Sequence, residues 1–163
     1  MADNATRIVA FTAGAFDPLH FGHVRLLADA AAQADVVVVG LHRDPSAERS
    51  SKGRPVQTVD QRSEVLLALR HVHRVVVYDT EADLLDLLQR LRPDLRVLGT
   101  DYQGKAYTGD SLGIDVLWHQ RDHGFSASAY RQALADEAHA QLARAEHARA
   151  PAAWWEYLWP PTP

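Results

Sequence analysis

The sequence predicts an α/β fold: a five-stranded parallel sheet flanked by helices, followed by a long C-terminal helix and an aromatic tail. Three observations carry that prediction. Short β-prone apolar runs alternate with segments of helical spacing along most of the chain. One of those runs, "DVVVVGL" at residues 35–41, holds four consecutive valines, the pattern of a strand buried on both faces. The segments between runs are long enough for helical crossovers, which join parallel strands with right-handed connections.

Taken in order, "RIVAF" (7–11) is the first strand; it stops at Thr12-Ala13-Gly14, and "VRLLADAAAQA" (24–34) then places Val24, Leu27 and Ala31 at helical spacing. The valine run is the second strand, and the polar loop "HRDPSAERSSKGRPVQ" leaves it. Thr58 to Gln61 has the form of a capping box, so 59–70 is predicted helical. "RVVVY" (74–78) is the third strand, and Thr80 caps a helix "EADLLDLLQRL" that Pro93 ends. "LRVLG" (95–99) and "DVLWH" (115–119) are the fourth and fifth strands. From Ser126 to about Ala150 the chain reads as an Ala-rich, charged helix, and Pro151 opens the tail "PAAWWEYLWPPTP". That tail is expected to bury its aromatics on the domain or on a sister subunit, with a lid over a ligand pocket as the alternative. With 163 residues the expectation is one domain, residues 1–135 carrying the sheet and 136–163 continuing its last helix and tail.

Composition excludes several functions. Apolar residues at 47% and charged residues at 23% describe an ordinary globular protein. The net charge of −4 argues against a nucleic-acid partner. Without cysteine the chain has no disulfide, thiolate metal site or thiol nucleophile, which fits the cytoplasm. No apolar run reaches the ~18 residues of a membrane span, and the first residues lack the pattern of a signal peptide.

The chemistry is concentrated in "AGAFDPLHFGHV". Between a strand and a helix, residues 14–23 read Gly-x-Phe-Asp-x-x-His-x-Gly-His. Gly14 lets backbone approach a ligand closely, and Gly22 removes a side chain between the imidazoles of His20 and His23. The start of the following helix offers free N–H groups and a favourable dipole to an anion. Two imidazoles beside it can donate to phosphate oxygens and stabilise developing charge.

This motif resembles the signature of the nucleotidyltransferase superfamily that includes the cytidylyltransferases, pantetheine-phosphate adenylyltransferase and the adenylyltransferase domain of ADP-heptose synthase. Over roughly residues 7–135 the chain looks most like the glycerol-3-phosphate cytidylyltransferase and heptose adenylyltransferase branch. Three further stretches carry the likeness: "LHRDPSAERSSKGRPVQTVDQR", "LGTDYQGK" and "RDHGFSAS". The resemblance implies a Rossmann-like nucleotidyltransferase fold in which His20, His23, Lys52 and Arg121 hold and polarise a nucleoside triphosphate. It implies nucleotide contact by Gly14, Ala15, Phe16, Asp17, Gly22, Asp44, Gly99, Asp101, Tyr102, Ser126 and Ser128. It implies acceptor contact by Arg54, Arg62 and Lys105, with Arg49 a further match in the basic loop.

The implied reaction transfers a nucleotidyl group from CTP or ATP to a small phosphorylated alcohol, sugar or phosphonate, with Mg²⁺ on the triphosphate and a homodimer as the assembly. CTP is the favoured donor: the order around Lys105 looks like the glycerol-phosphate enzyme, whereas Arg-Pro-Val with Gln-Arg looks like the heptose enzyme. The chain departs from the pattern where Phe125 replaces Ile and Ala127-Ser128 replace two threonines. A nucleotide-binding module with weakened turnover is therefore the alternative. A class I aminoacyl-tRNA synthetase shares the histidine motif, but Lys-Met-Ser-Lys-Ser is absent here. Asp17 either orients its loop or touches ligand or metal. His71 and His73 flank a strand, and His139 and His147 stand eight apart, too far for shared metal ligation on one helix.

Overall fold

The computed structural model describes residues 7–50, 52–122, 124 and 126–149, so the 151–163 tail lies outside the described residues. The chain falls into two compact units, Met1–Ala127 and Ser128–Pro163. The first contains strands β1 (Val9–Gly14), β2 (Val36–His42), β3 (Arg74–Tyr78), β4 (Leu95–Gly99) and β5 (Asp115–His119). Between them run helices α1 (Phe21–Gln33), α2 (Val59–Leu67) and α3 (Glu81–Leu91). The last helix, α4 (Ala127–Arg149), starts at the boundary and carries intrahelical pairs such as Gln132 to Asp136 at 2.8 Å and Arg144 to Glu137 at 2.9 Å. No helix among the described residues is long and apolar enough to cross a membrane.

All five strands are parallel, in the order β3-β2-β1-β4-β5. The chain leaves β1 towards one edge, then returns to place β4 on its other side. That reversal opens a crevice above the carboxyl ends of β1 and β4, where open α/β sheets bind ligands.

The valines of β2 explain the two-sided core. Val37 and Val39 join Ala10, Leu27, Ala30, Leu66 and Val97 on the face covered by α1 and α2. Val38 joins Phe11, Tyr78, Leu84 and Leu88 on the α3 face. Gly40 is required there, because a Cβ at that position would come within 2.6 Å of Phe11 Cζ. Two carboxylates start the sheet: Asp35 Oδ2 accepts from the Ile8 N–H at 2.9 Å, and Asp94 Oδ2 from Val9 at 2.8 Å.

Helix ends follow the local chemistry. Thr58 with Gln61, and Thr80 with Asp83, form the two capping boxes of α2 and α3. Arg92 closes α3 in the left-handed region at φ 47°, and Pro93 prevents continuation. The larger departures from the expected boundaries are in β1, α1 and α2. β1 runs on to Gly14 because that residue still pairs with Leu41 of β2. α1 begins at Phe21 rather than Val24 because His20 caps it, and α2 stops at Leu67 rather than Arg70.

Candidate functional site

The loop after β1 turns sharply, with Phe16 at φ 50°, and delivers His20 to the N-cap of α1. There the histidine motif acts as a capping box. His20 Nδ1 accepts the Gly22 N–H at 3.1 Å, and His23 Nδ1 accepts the His20 N–H at 3.4 Å. The imidazoles stack with centroids 3.8 Å apart, and Phe16 packs on His23 at 4.8 Å. With both Nδ1 atoms accepting, each neutral imidazole carries its proton on Nε2. The spacing of the motif thus fixes a tautomer as well as a position.

A basic loop and α2 are tied to this turn. Buried Asp17 accepts the Gln57 N–H on Oδ2 at 3.0 Å, so it orients the loop, as one of its two expected roles required. Arg62 is only 2% exposed. Its guanidinium donates to the carbonyls of Ala15 (2.9 Å), His42 (2.9 Å), Arg43 (2.6 Å) and Gln57 (3.2 Å). Burial pushes its pKa down, while Asp17 and Asp44 oppose that shift. The expected acceptor contact of Arg62 is therefore corrected: a buried side chain bonded to four carbonyls of two loops positions those loops and cannot reach a solute.

Asp44 follows β2, accepts from both the Ser46 side chain (2.6 Å) and the Ser46 N–H (3.0 Å), and faces Arg54 Nε at 3.8 Å. The Ser46 hydroxyl, the Ser46 N–H and Arg54 together hold its carboxyl below the usual range. Lys52 and Lys105 stand exposed on the loops after β2 and β4. On the other side of the crevice Arg121, two residues beyond β5, pairs with Asp101 at 3.0 Å. Gly99 makes this possible, since a Cβ there would lie 2.3 Å from Asp101 Oδ1 and 3.3 Å from Arg121 Nε. Tyr102 closes a 3-10 turn beside them, Thr100–Tyr102. Ser126 immediately precedes α4; Ser128 belongs to the second unit and is exposed.

Sequence reasoning missed two buried histidines at strand ends. His119 ends β5 and donates from Nδ1 to Asp29 of α1 at 2.6 Å. His42 ends β2 and meets Glu48 at 3.3 Å. Glu48 in turn accepts the Glu81 N–H at the start of α3, while the Glu81 carboxylate binds Arg49 and Thr108. Their position at the carboxyl ends of strands was the available signal. His42, Glu48 and Glu81 place three ligating groups within 4.8 Å of one another, but the guanidinium of Arg49 on Glu81 neutralises the charge a cation would need. A cavity of about 770 Å³ lies at the opposite, amino end of the sheet, beside Leu88, Pro93, Leu112 and Ile114, away from all these groups.

Known proteins share this arrangement. A cytidylyltransferase-like family model matches residues 11–133. The Bifunctional protein HldE of Campylobacter curvus is 36% identical over 137 residues, 83% of this chain and 29% of that protein. HldE of Wolinella succinogenes is 40% identical over 124 residues, 76% of this chain and 26% of that protein. The chain thus spans less than a third of the length of these curated relatives. A lipopolysaccharide core biosynthesis protein from Thermoplasma volcanium superposes with a TM-score of 0.56 at 28% identity, covering 70% of this chain and 95% of that one. Pantoate-beta-alanine ligase from Francisella tularensis gives the same TM-score at 15% identity over 80% of this chain and 67% of that one, a likeness of fold alone. A histidine-capped helix above the switch point of a five-stranded parallel sheet, with a family model covering 11–133, shows that the chain belongs to the cytidylyltransferase-like family.

Proposed function

We propose that this chain is a nucleotidyltransferase in which the phosphate of a small phosphorylated acceptor attacks the α-phosphorus of a nucleoside triphosphate in line, expelling pyrophosphate. The observation that carries the reading is the capped histidine pair, whose Nδ1 atoms are both engaged by backbone N–H groups so that Nε2–H is the donor each ring presents. In this reading His20 and His23 stabilise the charge that builds on the α-phosphate oxygens, while Lys52 and Arg121 hold the phosphates from the opposite loops. Binding triphosphate requires Arg121 to exchange part of its bond with Asp101 for phosphate oxygens. Asp101 and Tyr102 then meet the nucleoside, and Ser126 supplies a hydroxyl just before α4. Gly14, Ala15, Phe16, Asp17 and Gly22 shape the turn under the triphosphate, and Asp44 its neighbouring loop. Arg54 and Lys105 face the acceptor.

Around the histidine motif the described residues form no three-ligand cluster, so the donor set fits a Mg²⁺ that arrives on the triphosphate rather than one held in a protein cage. Bound there, the ion screens the triphosphate's charge. Likeness to HldE, together with the resemblance of Arg-Pro-Val and Gln-Arg to the heptose adenylyltransferase branch, supports a sugar phosphate as acceptor and ATP as donor. The Gly-x-Asp-aromatic-x-Gly-Lys order of residues 99–105 favours CTP as the second reading. A homodimer and a cytoplasmic setting complete the proposal. Incubating the protein with each nucleoside triphosphate and a panel of sugar and polyol phosphates, with pyrophosphate release as the readout, tests it. ATP with a sugar phosphate is the expected pair; release with CTP and a polyol phosphate alone would install the second reading, and release with none would defeat both.

A further inference from the structure

Two buried arginines in the first unit are treated differently by the fold. Arg62 has four carbonyl partners. Arg96, 5% exposed at the second position of β4, has no ion pair among the described residues, and its Nε and Nη1 have no hydrogen-bond partner. Its guanidinium carbon lies over the face of Phe11, 5.0 Å from the ring centroid. An aromatic face offsets only part of the cost of burying a guanidinium without acceptors. Structural arginines avoid that cost, as Arg62 does.

Position gives the exposed cost a direction. Arg96 alternates with Val97, whose side chain joins the α1 and α2 face, so Arg96 lies on the α3 face with Phe11. The charged and phenolic groups that act on it are Tyr78, Glu81, Tyr107 and Tyr102, all at the carboxyl end of the sheet. Glu81 does not neutralise it, since that carboxylate already binds Arg49 and Thr108. His42 packs edge-on to Tyr78 at 4.8 Å, and its Nδ1 is likewise buried without a partner. Tyr102, in the turn that follows β4, is 40% exposed. His42 and Tyr78 end β2 and β3 on one side of β1, and Arg96 and the Tyr102 turn belong to β4 on its other side.

We infer that Arg96 is a specificity-determining residue that takes a compact oxyanion of the acceptor, a phosphate or a carboxylate, at the floor of a subsite lined by His42, Tyr78 and Tyr102. The inference rests on the nucleotidyl-transfer reading for the word acceptor, and on the geometry alone for the anion. Binding requires the Tyr102 loop to move aside, after which the guanidinium fork meets the anion with charge-assisted hydrogen bonds.

The test is Arg96→Met, which keeps volume and removes the charge. Calorimetry on the full chain uses inorganic phosphate and, separately, acetate, with the triphosphate site filled by an α,β-methylene nucleoside triphosphate. Wild type is expected to bind one of the two anions, and the variant to bind it at least about tenfold more weakly. Phosphate binding assigns a phosphate, acetate binding a carboxylate. In steady state the acceptor KM is expected to rise at least about tenfold, with the triphosphate KM within about twofold. Equal anion affinity in both proteins, or an unchanged acceptor KM, overturns the inference. Where Arg96→Met does not fold, Arg96→Lys replaces it, with the same loss of affinity expected and an unchanged affinity overturning the inference. A protein that binds phosphate through Arg96 yet releases no pyrophosphate with any acceptor would instead refute the catalytic reading and leave the anion site standing.

Discussion

Removing the guanidinium of Arg62 is predicted to destabilise the first unit severely without any direct effect on substrate contact. In Arg62→Met the carbonyls of Ala15, His42, Arg43 and Gln57 lose donors at 2.6 to 3.2 Å, in a site where the side chain is 2% exposed. Each such bond contributes about 1 kcal/mol net, and more when the donor is charged. Four of them, with Asp17 losing its neighbouring positive charge, give about 4 kcal/mol, within the range for breaking a buried charged network. Arg62→Lys does not rescue it, because an ammonium lacks the fork that reaches four carbonyls of two loops at once. Equilibrium urea unfolding of wild type and both variants, followed by circular dichroism, measures the loss. A change below about 1 kcal/mol, accompanied by a raised acceptor KM, would refute the positioning role and restore Arg62 as a binding residue.

Other substitutions isolate single features. Gly40→Ala drives a Cβ to within 2.6 Å of Phe11 Cζ and should cost about 1–3 kcal/mol in thermal or urea unfolding. Gly99→Ala meets the flexible ends of Asp101, at 2.3 Å, and Arg121, at 3.3 Å; it should leave the unfolding temperature nearly unchanged while displacing Asp101 from Arg121 and raising the triphosphate KM several-fold, or about 1 kcal/mol. Hydrogen bonds from the Thr80 hydroxyl and then the Thr80 N–H hold the Asp83 carboxyl below its usual 3.8. A depressed folded-state pKa adds stability that is present above 3.8 and lost as the pH falls below it, so Asp83→Asn should flatten the acid limb of stability against pH. An acid limb unchanged in that variant would assign the dependence to other carboxylates.

Much of the fold was legible because its signals are local. Thr58, Thr80 and Pro93 mark helix ends by their own chemistry, and the valine run of β2 reads as two-sided burial without knowledge of the partners. The histidine motif was legible as the turn from strand to helix, but its capping geometry was not, since imidazoles seldom replace the Ser, Thr, Asp or Asn of a cap. What failed were the long-range roles. Arg62 sits in a basic stretch that reads as anion-binding, and only the meeting of residues 15, 42, 43 and 57 around it shows that backbone oxygens are its partners. The bridge from Glu48 to Glu81 joins residues 33 apart, and nothing in either neighbourhood announces it.

The central claim is that the capped histidine pair stabilises a nucleotidyl transfer. Single-turnover pyrophosphate release by wild type and His23→Ala, at saturating triphosphate and acceptor, tests it most directly. The account predicts at least about a hundredfold slower release from a variant that keeps its circular dichroism spectrum and still binds the triphosphate. Release from His23→Ala at the wild-type rate would contradict it.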